Sequence, residues 1–252
     1  MSDAALGRID GPMWSDVIDL RDFYQSDLGR VAQRMIRGQI RSLWPSLRGQ
    51  RVLGLGFATP YLRLLQQDAL KVIAVMPASQ GVLSSSPTEG SLVCLSDEAE
   101  LPLADRSIDR VLLVHALEST ERANATLREI WRVLADGGRL LVVTPNRHGI
   151  WARLERTPFG QGRPYAPSQL HRLLRETMFT PEATATALFV PPFRSRMVLR
   201  SAPAWENLGN RWFPTFAGVL LVEAGKQIYA GTLVQARARA TRVYLPVRPA
   251  LR

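Results

Sequence analysis

From Arg51 to Thr144 short, nearly unbroken apolar runs alternate with longer segments whose apolar residues recur every three or four positions. The runs are Val52–Leu55, Lys71–Val75, Leu92–Leu95, Asp109–His115 and Arg139–Thr144. Runs this short and this apolar read as strands covered on both faces. Between them, Pro60–Gln67 reads as a helix with Thr59-Pro60 as its start, because threonine suits the cap and proline the first helical position. Thr120–Ala135 reads as another, with Leu127, Ile130, Trp131 and Leu134 on one side. Asp136-Gly137-Gly138 is expected to stop it with a glycine in the left-handed cap position. A weak helical stretch to about Leu83 and a loop at Ser84–Gly90 precede the third strand, and an acidic loop, Ser96–Asp109, follows it.

Alternating strands and helices predict an α/β fold: a Rossmann-like, doubly wound, mostly parallel sheet with helices on both faces. Before it come a loose arm over residues 1–15 and a helix over Ser26–Leu43, capped by Ser26 and stopped by Pro45. Leu28, Val31, Met35, Ile36, Ile40 and Leu43 form that helix's apolar stripe, and Arg30, Arg34, Arg37 and Arg41 lie off it. Beyond Pro145 the texture changes. Residues 146–167 form a loop rich in arginine, glycine and aromatic residues, a composition suited to a lid or substrate surface. A helix at Ser168–Thr177, a strand at Ala185–Val190, an irregular or partly helical stretch over 193–214 and a strand at Phe216–Glu223 complete an antiparallel C-terminal edge. The organisation expected is an N-terminal arm and helix (1–45), an α/β domain (46–230) and a basic tail (231–252).

Composition narrows the class. The chain has 252 residues, 46% hydrophobic and 21% charged, which suits a globular domain with a sizeable core. Cys94 is the single cysteine, so no intramolecular disulfide and no cysteine-pair zinc site exists; a reducing, cytoplasmic setting is expected. Met1-Ser2-Asp3-Ala4 does not open like a secretory leader, and no apolar run is long enough to span a bilayer. His148 and His171 lack metal-ligand spacing, and no metal is expected. The formal net charge is +10, and 30 of the 32 basic residues are arginine. Guanidinium forks suit phosphate and carboxylate partners, although arginines spread along a chain also serve as ordinary solvated surface.

Ligands of such sheets sit beyond the carboxyl ends of the strands. Five segments therefore converge on one crevice: Gly54–Tyr61, Met76–Ser79, Asp97–Glu98, His115–Glu118 and Thr144–Arg147. Gly54 and Gly56 allow a tight turn and close approach to the backbone. His115, whose imidazole exchanges protons near neutral pH, is the candidate base, with a packed pocket histidine as the alternative. Asn146 and Trp151 flank the crevice as candidate substrate contacts, and Trp151 is equally suited to the core of the lid.

Four pieces of the chain carry a family resemblance. Val52-Leu53-Gly54-Leu55-Gly56 forms a glycine turn. Asp97 lies four residues before Leu101-Pro102. Ser107-Ile108-Asp109-Arg110-Val111 leads into the fourth strand. Leu127–Leu140, with its Ala135-Asp136-Gly137-Gly138, is the most specific of the four. Together they resemble the class I S-adenosylmethionine-dependent methyltransferases, in particular the type 11 branch, over about 100 residues. The resemblance implies S-adenosylmethionine as cofactor, held by Gly54, Gly56, Ala58 and Thr59 along the first turn, by Met76 after the second strand and by Asp97 and Glu98 after the third. It implies an in-line methyl transfer in which the protein supplies proximity and, for some acceptors, a base. The chain departs from the family where Gly54 replaces an acid, where Ala58 and Pro60 replace small or glycine positions, and where Met76-Pro77 replaces the carboxylate that takes the ribose hydroxyls.

The function expected is therefore methyl transfer to an unidentified small-molecule or protein acceptor, with an acidic one suggested by the basic lid. Two alternatives stand beside it. A methyltransferase fold that has lost catalysis would act as a binding or regulatory partner. Nucleic-acid binding through the arginine-rich surface is less favoured, since no basic motif is interleaved with aromatics.

Overall fold

The computed structural model describes residues 17–78, 92–193 and 195–227. The arm over 1–15, the Leu83 helical stretch, the Ser84–Gly90 loop and the tail from 231 fall outside them. Two helices come first, α1 (Val17–Gln25) and α2 (Asp27–Leu43). The alternating unit follows: β1 (Arg51–Gly56), α3 (Thr59–Leu65), β2 (Lys71–Pro77), β3 (Leu92–Ser96), β4 (Ile108–Val114), α4 (Ala123–Val133) and β5 (Leu134–Pro145). The C-terminal part adds α5 (Pro167–Glu176), β6 (Phe179–Ala187), α6 (Arg196–Arg200), α7 (Ala202–Trp212) and β7 (Val219–Lys226).

Among the described residues seven strands form one sheet in the order β3-β2-β1-β4-β5-β7-β6. The pairs from β3 to β5 are parallel, and β7 runs antiparallel to both β5 and β6. The order reverses between β1 and β4, which opens a crevice at their carboxyl ends. Apolar runs become central strands here because both faces are covered. On β4, Leu112 and Val114 face the layer of α1, α2 and α3, joined by Ile36 and Ile40. Val111 and Leu113 face α4 and α5, joined by Leu127, Ile130, Leu170 and Leu174. The N-terminal helices thus share the sheet's core. Ser26 caps α2 as expected, its Oγ accepting from the Gly29 N–H at 3.0 Å.

Several boundaries differ from expectation, each for a physical reason. Leu134 leaves α4 early because it is buried and pairs with Ile108 as the first residue of β5. Gly137 does take the left-handed conformation (φ +74°), but in a bulge of β5 and not in a helix cap. The strand before β7 occupies 179–187 and not 185–190. It is a half-exposed edge whose small and polar residues give no apolar run. β7 accordingly starts at Val219, three residues later than expected. The stretch over 193–214 holds α6 and α7. Thr59 does not cap α3: Ala58 occupies that position without a side-chain bond, and the Thr59 hydroxyl is buried with no hydrogen-bond partner.

Candidate active site

β1 ends at Gly56 with φ +79°. A Cβ there would lie 2.3 Å from the Val114 carbonyl oxygen and 2.7 Å from the Ala116 Cβ. The turn therefore presses against the end of β4, and the Phe57 N–H donates to the Val114 carbonyl at 2.8 Å. Gly54 lacks a Cβ for a different reason, since one would meet the Leu62 side chain at 2.5 Å and Ala58 at 2.9 Å. Ala58 is buried in that contact between β1 and α3. Beside the turn lies a cavity of about 280 Å³ between Phe57, Thr59, Pro60 and Met76 on one side and Arg21, Tyr24, Gln25 and Gln33 on the other. Met76 is buried at the end of β2, where no carboxylate is present.

The two acids after β3 are engaged within the protein. Asp97 accepts from the Ala99 N–H at 2.8 Å and from Arg122 Nη2 at 2.6 Å. The backbone bond first, then the guanidinium, holds its carboxyl below the usual carboxylate range. Glu98 is buried and accepts from the Thr120 hydroxyl at 3.1 Å.

His115 ends β4 in the left-handed region, with φ +50°. Its Nδ1 lies 3.1 Å from Glu118 Oε1, and its Nε2 lies 2.8 Å from the Tyr24 hydroxyl. The Tyr24 hydroxyl also meets the Tyr61 hydroxyl at 2.9 Å. All four side chains are buried. A carboxylate oxygen 3.1 Å from Nδ1 suits an N–H on that nitrogen and leaves Nε2 to accept, so Tyr24 donates to His115 and Tyr61 donates to Tyr24. Burial raises both tyrosine hydroxyls above the ordinary phenol range; for Tyr24 the nearby Tyr61 and the Glu118 charge add to it. Aromatic rings enclose the chain. Tyr24 stacks on Phe57 at 5.6 Å, and Phe159 lies 5.0 Å from the His115 ring.

Asn146 and Trp151 stand apart from this chain. Asn146 Nδ2 donates to the carbonyls of Thr215 and Ala217 at 2.9 and 2.8 Å, and its Oδ1 accepts from the His148 N–H, so it ties the end of β5 to the turn before β7. Trp151 is 1% exposed and donates through Nε1 to the Val190 carbonyl at 2.8 Å. It is part of the core beneath the 146–167 loop. Tyr61 and Glu118 lie in the segments expected to converge here, though without an assigned role, and Tyr24 is the member that reading the sequence missed. The spacing of Val17, Leu20 and Tyr24 is the signal that would have placed Tyr24 on a helix facing the core.

Residues 52–142 match the methyltransferase domain family. A demethylmenaquinone methyltransferase of Corynebacterium efficiens is 32% identical over 132 residues, 52% of this chain and 56% of that protein. The chain thus spans about half the length of this curated relative. Residues 52–142 are therefore a match to a methyltransferase domain. A ubiquinone/menaquinone biosynthesis C-methyltransferase of Rubrivivax gelatinosus is 26% identical over 191 residues, 73% of each chain. In architecture, the methyltransferase domain is similar to a SAM-dependent methyltransferase from Thermotoga maritima, with a TM-score of 0.61 at 19% identity over 84% of this chain and 96% of that one.

The family implies S-adenosylmethionine as the cofactor of the methyltransferase domain. The residues present fit it. The cavity lies at the carboxyl ends of β1 and β2, beside the glycine turn, and the orphaned Thr59 hydroxyl sits at its edge. Gln25 brings donors suited to a carboxylate and to hydroxyls, beside Arg21, which also pairs with Asp22, and Gln33, whose amide also donates to the Pro60 carbonyl at 2.7 Å. The end of β2 fits least well, since Met76 offers an apolar contact where a carboxylate is usual.

Proposed function

We propose that this methyltransferase domain uses S-adenosylmethionine to methylate a small aromatic acceptor of quinol type, with His115 as the base. The observation that carries the proposal is the buried Glu118–His115–Tyr24–Tyr61 chain at the end of β4, next to the cavity that fits the cofactor. When bound, that cofactor supplies an electrophilic methyl group. The chain's own residues handle the proton. A proton that arrives on the Tyr24 oxygen displaces Tyr24's own proton onto His115 Nε2, and the Glu118 carboxylate offsets the imidazolium charge. Thr59, Met76, Gln25 and Gln33 hold the cofactor, the turn at Gly54–Ala58 sets how closely it approaches β1, and Asp97 and Glu98 flank its adenine end. Asn146 and Trp151 act by holding the lid in place.

The acceptor class rests on two supports. The relatives are named for quinone precursors, and Phe23, Trp151 and Phe159 meet edge-to-face beside a second cavity of about 480 Å³. Arg156 lines that cavity and suits an oxygen substituent on a ring. A cytoplasmic location belongs to the same reading; among the described residues no helix is long and apolar enough to cross a membrane. The test incubates the purified chain with S-adenosylmethionine and a chemically reduced demethylnaphthoquinone. Methylated product and S-adenosylhomocysteine should form together, and His115→Asn should abolish both while cofactor binding persists. Turnover undiminished in His115→Asn would overturn the assignment of the base.

One observation favours a second reading, a fold that binds the cofactor without turning it over: the end of β2 offers no carboxylate and Asp97 is already committed to Arg122. Binding of S-adenosylmethionine without product from any quinol, acidic or protein acceptor would support it.

A further inference from the structure

Outside the crevice, the most conspicuous feature of the surface is apolar. Met197, Trp205, Leu208, Trp212, Phe213 and Phe216 are each more than 40% exposed, and all fall within 20 residues of chain on α6, α7 and the turn that follows. Trp205, Leu208 and Trp212 share one face of α7 by their spacing, while Ala202 and Gly209 on a neighbouring face are buried. Single exposed apolar residues need no explanation, but a continuous group of large ones marks an interaction surface.

The surroundings of this patch are basic. α2 packs against α6 and α7. Arg30, Arg34, Arg37 and Arg41 are exposed, and their spacing sets them in one stripe along α2. Arg34, Arg37 and Arg41 have no acidic partner among the described residues. A groove of about 410 Å³ runs between the start of α2 and the α6–α7 junction, lined by Asp27, Arg30, Val31 and Arg34 on one side and by Leu199, Arg200 and Pro203 on the other. Arg211 lies over the Trp212 ring at 5.9 Å. Phe193, also exposed, stands at the rim of the 480 Å³ cavity that leads to Phe23.

We propose that α6, α7 and the arginine stripe of α2 form a docking face for an anionic lipid bilayer surface. Tryptophan, phenylalanine and leucine flanked by arginine is the composition of helices that lie in the membrane interface, where aromatic rings settle at headgroup level and guanidinium groups meet lipid phosphates. The net charge of +10 has the sign this surface requires. Arg30 pairs with Asp27, but Arg34, Arg37 and Arg41 face solvent with no acidic partner among the described residues, a charge that an anionic surface complements. With Phe193 at the rim, the docked face would open the second cavity toward the lipid. The inference stands on the surface alone and does not depend on the methyl-transfer reading.

The test is sedimentation of the full chain with vesicles of phosphatidylcholine alone or with about one-third phosphatidylglycerol, at low and at 0.5 M salt. The chain should bind the anionic vesicles at low salt, release at high salt and ignore the neutral ones. Trp212→Ser/Phe213→Ser should lower partitioning by at least about tenfold, equal to about 1.4 kcal/mol. Arg34→Glu/Arg37→Glu/Arg41→Glu should do likewise, with thermal melts and S-adenosylmethionine binding unchanged in both variants. Brominated lipid should quench tryptophan emission in the wild type and not in Trp205→Phe/Trp212→Phe. Binding unaffected by the patch variants would overturn the proposal by placing the contact elsewhere on the chain. Absence of binding to anionic vesicles would overturn it as well, as would a stable dimer that Trp212→Ser converts to monomer, which would assign the face to a second copy. Lost methyl transfer with intact vesicle binding would instead count against the catalytic reading alone.

Discussion

Replacing Tyr24 by phenylalanine removes one oxygen and leaves the ring, its stacking on Phe57 and its edge contact with Tyr61 in place. That oxygen is the shared partner of Tyr61 and His115 Nε2. Both atoms are buried, and each loses its named bond. Leaving the Tyr61 hydroxyl unsatisfied costs about 1–3 kcal/mol and losing the bond to His115 about 0.5–1.5 kcal/mol, so the variant should be destabilised by about 2–4 kcal/mol. For a chain of this size that lowers the melting temperature by about 5–15 °C. Tyr61→Phe alone should be milder, because Tyr24 still donates to His115. In the Tyr24→Phe background the same change should reverse sign and stabilise by about 1–2 kcal/mol, since it removes an atom already orphaned. Thermal and chemical denaturation of the two single variants and the double variant measure this cycle. A Tyr24→Phe protein within 0.5 kcal/mol of wild type, or a Tyr61→Phe effect equal in both backgrounds, would refute the network as described.

Gly56→Ala should fail to fold or melt far below wild type, because its Cβ meets the Val114 carbonyl at 2.3 Å in a left-handed backbone. Gly38→Ala, on the exposed side of α2 with nothing near its Cβ, should instead stabilise by about 0.5–1 kcal/mol; paired melting curves decide both. Asp109 accepts the Arg51 backbone N–H and two guanidinium bonds at 2.8–2.9 Å, chiefly the side-chain bonds, and these hold its carboxyl below the ordinary range. A lowered folded value means a stability contribution that is full above the unfolded value near pH 4 and lost as pH falls through the folded one. Asp109→Asn should therefore be less stable at neutral pH and show a flatter acid limb, read from denaturation midpoints between pH 2 and 7.

The parallel half of the fold was legible because its strands are buried on both faces, which turns Val111–Val114 into an unbroken apolar run. The antiparallel edge was not, because the residues of β6 alternate between a covered and a wet face. The crevice was legible as a place, since strand ends in alternating α/β folds converge. Its polar chain was not: Tyr24 meets Tyr61 and His115 from 37 and 91 residues away, and only His115 announced itself by residue type. Asn146 and Trp151 show the opposite case. Their chemistry suggested substrate, but their polar atoms tie the 146–167 loop to carbonyls at 215, 217 and 190, a use that no local pattern reveals.

The most direct test of the account is titration calorimetry of the full chain with S-adenosylmethionine and S-adenosylhomocysteine, repeated on Thr59→Val. The Thr59 hydroxyl has no partner within the protein, so the isosteric valine should leave stability unchanged or slightly raised while weakening ligand binding. The wild type should bind both ligands in the micromolar range and Thr59→Val should bind them about tenfold more weakly, in keeping with one hydrogen bond. No binding of either ligand at millimolar concentration would contradict this.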